Sequence, residues 1–282
     1  MHAFVSVDLE GMPHVVIPGQ LNLKGPLYDE ARKIATKLTL ALAEELHKGG
    51  FDEVLVADSH GPMVNLLVEE LPDYVELIRG YPRPVSMVSG VEGCDVAVFL
   101  GYHAKMGTAY ATFDHTYSGS TYHRVAINGI EVSEFLLNAY AAGDANVPVI
   151  LVAGDSRLLD EDVRRYAPWA EILALKRSLG RAAARSYGLG KIERDLREAV
   201  KGAIAAFQQK KTRPLRATPP IKMQLTFVST YFTDLAELLP HVKRIDGLNV
   251  EYIADNMTQA YNVFELLSLA AAGVTALKRD QT

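Results

Sequence analysis

Ala3-Phe4-Val5-Ser6-Val7-Asp8-Leu9-Glu10-Gly11 is the stretch that decides how this chain is read. Its first five residues form an apolar run with β-branched side chains, the pattern of a buried strand. Asp8 and Glu10 are two residues apart, so in extended backbone they point to the same face. Two adjacent carboxylates repel, and both stay ionised cheaply only around a cation. Gly11 then lets the backbone turn away or approach another group closely. A single D-x-E is also what an acidic turn in water looks like. The two readings separate only if other strand ends supply matching groups.

Composition narrows the field. A hydrophobic content of 49% and a charged content of 22% over 282 residues allow one large or two ordinary domains with a real core. The net charge of −5 argues against nucleic acid or an anionic membrane as the main partner. The single cysteine, Cys94, excludes an intrachain disulfide framework and a thiolate zinc cluster, and reads as a small core residue. The opening residues lack a basic segment followed by an apolar stretch, so no signal peptide is expected. The apolar stretch Leu266 to Leu277, interrupted by Ser268, Gly273 and Thr275, reads as a buried helix rather than a membrane span. A cytoplasmic protein without a membrane partner is the expectation.

From Tyr28 to Lys48 the residues Ile34, Leu38, Leu42 and Leu46 make one helical stripe, closed by Gly49-Gly50. Glu53 to Asp58 is a second strand, running into Ser59-His60. Strand, long helical crossover, strand implies a right-handed parallel unit. Val75 to Ile78 is a short strand. Asp95 to Leu100 is another buried strand, ending in Gly101-Tyr102-His103, and a polar loop containing His115 follows. Asn128-Gly129 marks a hairpin. Ser133 caps a helix that Glu134 begins. Pro148 to Val152 leads into Gly154-Asp155, where Asp155 reads as the cap of the next helix. The fold class is therefore α/β, a mainly parallel central sheet flanked by helices, with a smaller C-terminal α/β portion. The proline-punctuated connector from Lys210 to Pro220 places a boundary between residues 1–212 and 213–282.

Asp8 and Glu10, His60 and His103 all follow strands of the parallel type. In open α/β sheets ligands bind beyond the carboxyl ends of strands, where strand order reverses. Each group has a plainer role available: a lone loop histidine, or a glutamate that merely complements a helix dipole. Their shared placement favours convergence. Asp8, Glu10, His60, His103 and Glu134 offer carboxylates and imidazoles without thiolate. That mixture suits zinc, with manganese or cobalt as substitutes. Five ligands exceed one open tetrahedral zinc and suit two ions sharing a bridging carboxylate.

The same residues resemble the M55 metallopeptidases, the D-aminopeptidases of the dipeptide-transport operon type. The matching stretches are Ser6 to Gly11, Asp58-Ser59-His60 with Asn65-Leu66, Phe99 to Ala104, His115, Ile127 through Glu134 to Tyr140, and Val152 to Asp155. The resemblance implies two zinc ions per subunit on Asp8, Glu10, His60, His103 and Glu134, with Asp8 bridging, and a catalytic role for His115. It also implies a short peptide substrate and a ring-shaped homo-oligomer, decameric by resemblance. The chain departs from the family pattern at Met12-Pro13-His14, where Ile-Ser-Gly is common, and at Gly61. His14 and Asn128 are candidate substrate-binding residues, while His123 reads as structural and His2, His47 and His241 as surface residues.

Two rival readings stay open at this level. A two-metal phosphoesterase would use the same ions and would want nearby cations, for which Lys105 and Arg124 are the candidates. A non-catalytic metal-stabilised ring scaffold would show an altered ligand or an altered His115. No phosphate loop, dinucleotide fingerprint, H-E-x-x-H or G-x-S-x-G is present.

Overall fold

Strand β1 (His2–Val7) lies in the middle of the larger of two sheets, which is why both of its faces are apolar. A computed structural model describes residues 1–279. The chain leaves β1, crosses through α1 (Tyr28–Lys48) to β2 (Glu53–Asp58), and continues to β3 (Val75–Ile78) at the sheet edge. It returns to the other side of β1 as β4 (Val96–Tyr102). The hairpin β5 (Tyr122–Ile127) and β6 (Ile130–Glu131) and helix α2 (Glu134–Asp144) follow. Strand β7 (Val149–Asp155) then extends the sheet.

Two helical turns, α3 (Ser156–Leu158) and α4 (Arg164–Tyr166), flank a π-helical turn at Leu159–Val163. The long strand β8 (Glu171–Gly180) pairs parallel with β7, and β9 (Ala183–Arg185) folds back antiparallel on it. The sheet order is β3-β2-β1-β4-β7-β8-β9. Strand order therefore reverses between β1 and β4, and the crevice for a ligand opens at their carboxyl ends.

Helices α1 and α5 (Leu189–Gln208) cover one face of this sheet, where Val5, Val7, Val54, Val98 and Leu38 share a core cluster with Leu196 and Val200. The alternate residues Phe4, Ala57, Ala97 and Phe99 face the other way, in a second cluster with α2 and the C-terminal elements. Those elements are β10 (Ile221–Phe227), α6 (Thr230–Ala236), β11 (Lys243–Arg244), β12 (Asn249–Ala254) and α7 (Met257–Arg279). The smaller sheet runs β11-β12-β10-β5-β6 and is antiparallel. It draws β5 and β6 from before residue 213 and the rest from after it. The connector thus divides the chain in sequence but does not separate two sheets.

Helix α7 corrects one expectation. Tyr261, Phe264, Leu267 and Ala271 are buried, but Leu266 and Leu277 are exposed. Only every third or fourth residue of a helix reaches the sheet it lies on, so its apolar composition overstates its burial. Met257–Leu277 is long and apolar enough to cross a membrane by length and composition alone.

Two glycines set how closely the site loops approach. Gly11 N–H donates to the Gly101 carbonyl at 2.6 Å, and a Cβ on Gly11 would overlap the carbonyl oxygens of Tyr102 and Gly101. Gly101 has φ +80°, and its own Cβ would meet the Asp8 carbonyl. Backbone cannot withdraw as a flexible side chain can. Gly11→Ala is expected to cost about 4 kcal/mol and to lower the melting temperature by about 10 °C. Calorimetry checks this, and an unchanged transition would show that the loops can part freely.

Candidate metal centre

The ends of β1, β2 and β4 and the first turn of α2 meet in one buried cluster. Asp8, Glu10, His60, His103 and Glu134 are all less than a tenth exposed. Asp8 N–H donates to the Leu100 carbonyl at 2.8 Å, so the chain stays paired with β4 just past β1. Ser133 accepts from Leu136 N–H at 3.3 Å and caps α2, which fixes Glu134 at its first position.

His60 Nδ1 lies 2.6 Å from Glu10 Oε2 and 3.3 Å from Asp8 Oδ1. His103 Nε2 lies 3.3 Å from Glu134 Oε1 and 3.7 Å from Asp8 Oδ2. Two ligand triads result, Asp8-Glu10-His60 and Asp8-His103-Glu134, and Asp8 belongs to both. A third, Glu10-His103-His115, overlaps them.

The far side of each imidazole is tied to backbone. His60 Nε2 meets the Leu21 carbonyl at 2.8 Å, His103 Nδ1 the Ala104 carbonyl at 3.0 Å, and His115 Nδ1 the Phe113 carbonyl at 2.7 Å. A carbonyl only accepts, so each of these nitrogens carries the proton. When the ring is neutral, its other nitrogen is then the one that turns a lone pair toward the carboxylates. This is the tautomer and the outer support that metal-binding histidines require.

Asp8 Oδ2, Glu10 Oε2 and His103 Nε2 are buried without a hydrogen bond, although His60 Nδ1 is close to Glu10. Such atoms are costly unless something else satisfies them. With protons as the only counter-charge, the cluster is in conflict. Burial and the Glu10 charge push Asp8 well above the usual carboxylate range. Burial opposes the charge on Glu10, yet His60 and His103 hold that carboxyl well below it. His103, despite burial, is pushed up to about 10 by Glu134 and Asp8. A divalent cation removes the conflict by taking the place of those protons. The donor set therefore fits zinc-class ions.

His115 stacks on His103 with ring centroids 4.3 Å apart, and its Nε2 stands 3.6 Å from Glu134 Oε1. Burial and His103 lower its pKa below the ordinary imidazole value. The candidate ligands Asp8, Glu10, His60 and Glu134 line a cavity of about 150 Å³ with His115, together with Ser59, Gly61, Met63, Met87 and Tyr117.

The structure does not bring the two candidate substrate residues to this cavity. His14 has φ 66°, and its Nε2 lies 3.0 Å from the Tyr187 carbonyl. Asn128 sits at the β5–β6 turn, donates to the Thr218 carbonyl at 2.8 Å and accepts from Lys222 N–H at 2.7 Å. It ties the connector to β10. Asp155 does cap α3, accepting from Arg157 N–H at 3.1 Å.

Several supporting groups escaped the sequence reading. Tyr117 N–H donates to Glu134 Oε1 at 2.7 Å, while the Tyr117 hydroxyl is held by Ser86 and Glu265. Lys176 is buried and donates to the carbonyls of Glu10 and Val15, anchoring the loop after β1 from behind. A lysine inside an apolar strand was the available signal, since lysine is almost never fully buried without a partner. Behind the ligands, Ser6 Oγ lies 2.8 Å from Ser59 Oγ and 2.7 Å from the Tyr102 hydroxyl. Asn138 donates to that hydroxyl at 2.9 Å and accepts from Tyr261 at 2.6 Å. Ser6, Ser59, Tyr102 and Asn138 each sit within about one helical turn of a ligand along the chain. One polar network thus joins all four segments that carry the candidate ligands.

An open α/β sheet with a buried carboxylate–imidazole cluster at its switch point is an arrangement that suits a metal-dependent hydrolase. A family model described as Peptidase M55, D-aminopeptidase, matches residues 1–266. The chain belongs to this family. A curated D-aminopeptidase of Bacillus subtilis (strain 168) is 33% identical over 272 residues, covering 95% of this chain and 97% of that one. A solved structure described as the Zn-dependent D-aminopeptidase DppA from Bacillus subtilis, a self-compartmentalizing protease, superposes with a TM-score of 0.90. It is 31% identical and is matched over 97% of its length by 95% of this chain.

Proposed function

We propose that this chain is a zinc-dependent aminopeptidase that releases N-terminal residues, of D configuration, from short peptides. The observation that carries the reading is the pair of ligand triads sharing Asp8, gathered with His115 around one small cavity. Asp8, Glu10 and His60 would hold one ion and Asp8, His103 and Glu134 the other, with manganese or cobalt as substitutes. Bound there, such ions would supply a water of near-neutral pKa and a Lewis acid for a carbonyl.

The rest falls to this chain's own residues. The Leu21 and Ala104 carbonyls hold His60 and His103 in orientation. Tyr117 N–H holds Glu134. His115, kept neutral by burial and by His103, accepts a proton from the attacking water and returns it to the leaving amine. Met63 and Met87 wall the cavity and limit it to a small terminal residue.

The phosphoesterase alternative loses support. Lys105 is paired with Asp162 at 2.7 Å and Arg124 with Glu131 at 2.7 Å, so neither cation is free for phosphate. Both line a different cavity from the metal cluster. The solved relative is described as self-compartmentalizing. On that basis we propose a ring-shaped homo-oligomer, decameric like the family pattern.

Metal analysis of purified protein is expected to find about two zinc-class ions per chain. A panel of D- and L-aminoacyl p-nitroanilides and dipeptides, run beside p-nitrophenyl phosphate, separates the two hydrolases. Turnover of D-aminoacyl amides, abolished by a chelator, is the expected result. Absence of amide hydrolysis across the panel rejects the peptidase.

A further inference from the structure

The β8–β9 hairpin concentrates positive charge on an acidic protein. From Ile172 to Ile192 the chain carries Lys176, Arg177, Arg181, Arg185 and Lys191 and no acidic residue, against a net charge of −5 overall. Three of the five are accounted for. Lys176 is buried on backbone carbonyls, Arg181 pairs with Asp114, and Lys191 pairs with Asp195 at 2.6 Å.

Arg177 and Arg185 have no such partner among the described residues. They are directly opposite one another in the antiparallel register, so they share a face, and both are exposed. Like charges so placed destabilise a strand pair. Arg157 and Arg164 reach the same concavity from the segment after β7, a space of about 410 Å³ that Ser156 and Ser178 also line. Arg157 lies over the Tyr110 ring, 5.6 Å from its centroid, and Arg164 is 3.2 Å from Asp160. Four guanidiniums therefore surround one hollow. Among the described residues its only carboxylate is Asp160, which already has a partner.

We infer that this hollow binds a phosphate-type oxyanion, either free phosphate or a small phosphate monoester. The guanidinium fork matches such an anion through paired N–H donors. The opposed Arg177 and Arg185 hold two forks on one face, and the anion neutralises the repulsion built into the hairpin. The hollow shares no lining residue with the metal cavity. It is nonetheless joined to it. The same hairpin braces the loop that carries His115, through Phe113 N–H to the Arg181 carbonyl at 3.1 Å and Thr112 N–H to Ser178 Oγ at 3.0 Å.

The test is calorimetric titration of the metal-loaded protein with inorganic phosphate and with glycerol phosphate, chloride at matched ionic strength being the control. Saturable binding is expected, weakened at least about tenfold in an Arg177→Ala/Arg185→Ala variant. The tighter of the two probes identifies the source. Arg185→Glu gives a second readout, because it places an opposite charge across from Arg177. Its melting temperature in phosphate-free buffer is expected to equal or exceed that of the parent, and phosphate is expected no longer to raise it. Binding that survives the double substitution unchanged belongs to the metal cluster and overturns the proposal. So does an absence of saturable binding, including the case where Arg185→Glu instead alters the assembly mass and so marks the hollow as a contact between copies.

Discussion

Asp8→Asn is expected to empty the centre. Asp8 is the residue common to both ligand triads, so its loss removes a donor from each proposed ion. Asparagine keeps the size and the planar end but supplies a neutral oxygen and an amide that cannot bridge. Metal content should fall from about two ions per chain to less than one. Activity on a D-aminoacyl amide should fall at least about 1,000-fold, beyond the ~10–100-fold that follows loss of an outer partner. Stability should move the other way. Burial and the Glu10 charge make Asp8 an unfavourable carboxylate when no cation is present. In chelator the Asp8→Asn variant should therefore melt no lower than the chelated parent. A variant that keeps both metal and turnover would show that Asp8 is not shared.

His115→Ala separates a proton carrier from a ligand. His115 belongs to one triad, with Glu10 and His103, but those two residues also complete the other triads without it. On the proposed reading metal content is unchanged and kcat falls about 10²- to 10⁴-fold, the range of positioned acid–base groups. KM should change little, because Nε2 acts on the proton in flight rather than on the bound peptide. The acid limb of the pH–rate profile, if set by this imidazole, should vanish with it. Parallel loss of metal and activity would instead make His115 a ligand.

The chemistry of the centre was legible in the sequence because it is written at strand ends. Val5 to Asp8, Val56 to His60 and Phe99 to His103 each announce a buried strand that stops at a polar group, and parallel strands put such stops on one edge. The Asn128-Gly129 turn and the Ser133 cap were equally readable, being local chemistry. Asn128 has φ 50° and Gly129 φ 82°, as a tight hairpin turn demands.

What stayed hidden depends on contacts far apart in the chain. His14 looked close to the metal motif because it follows it by a few residues, but the turn after Gly11 sends it to Tyr187. Tyr117 and Met63 come from loops and Met87 from a single 3-10 turn, segments that carry no periodic pattern, so nothing local fixes where they point. The pairing of β5 with β10 joins strands separated by several helices, four strands and a linker, and only shared burial selects it.

The sequence alone determined the class of the fold, and named the candidate ligands and the metal they would suit, since strand periodicity and donor type are local properties. Tertiary structure decided which histidine nitrogen faces the carboxylates and that Asp8 stands between the two triads. It also turned a lysine into the buried anchor of the Glu10 loop. Those features depend on which backbone carbonyl lies behind each side chain, and folding alone sets that.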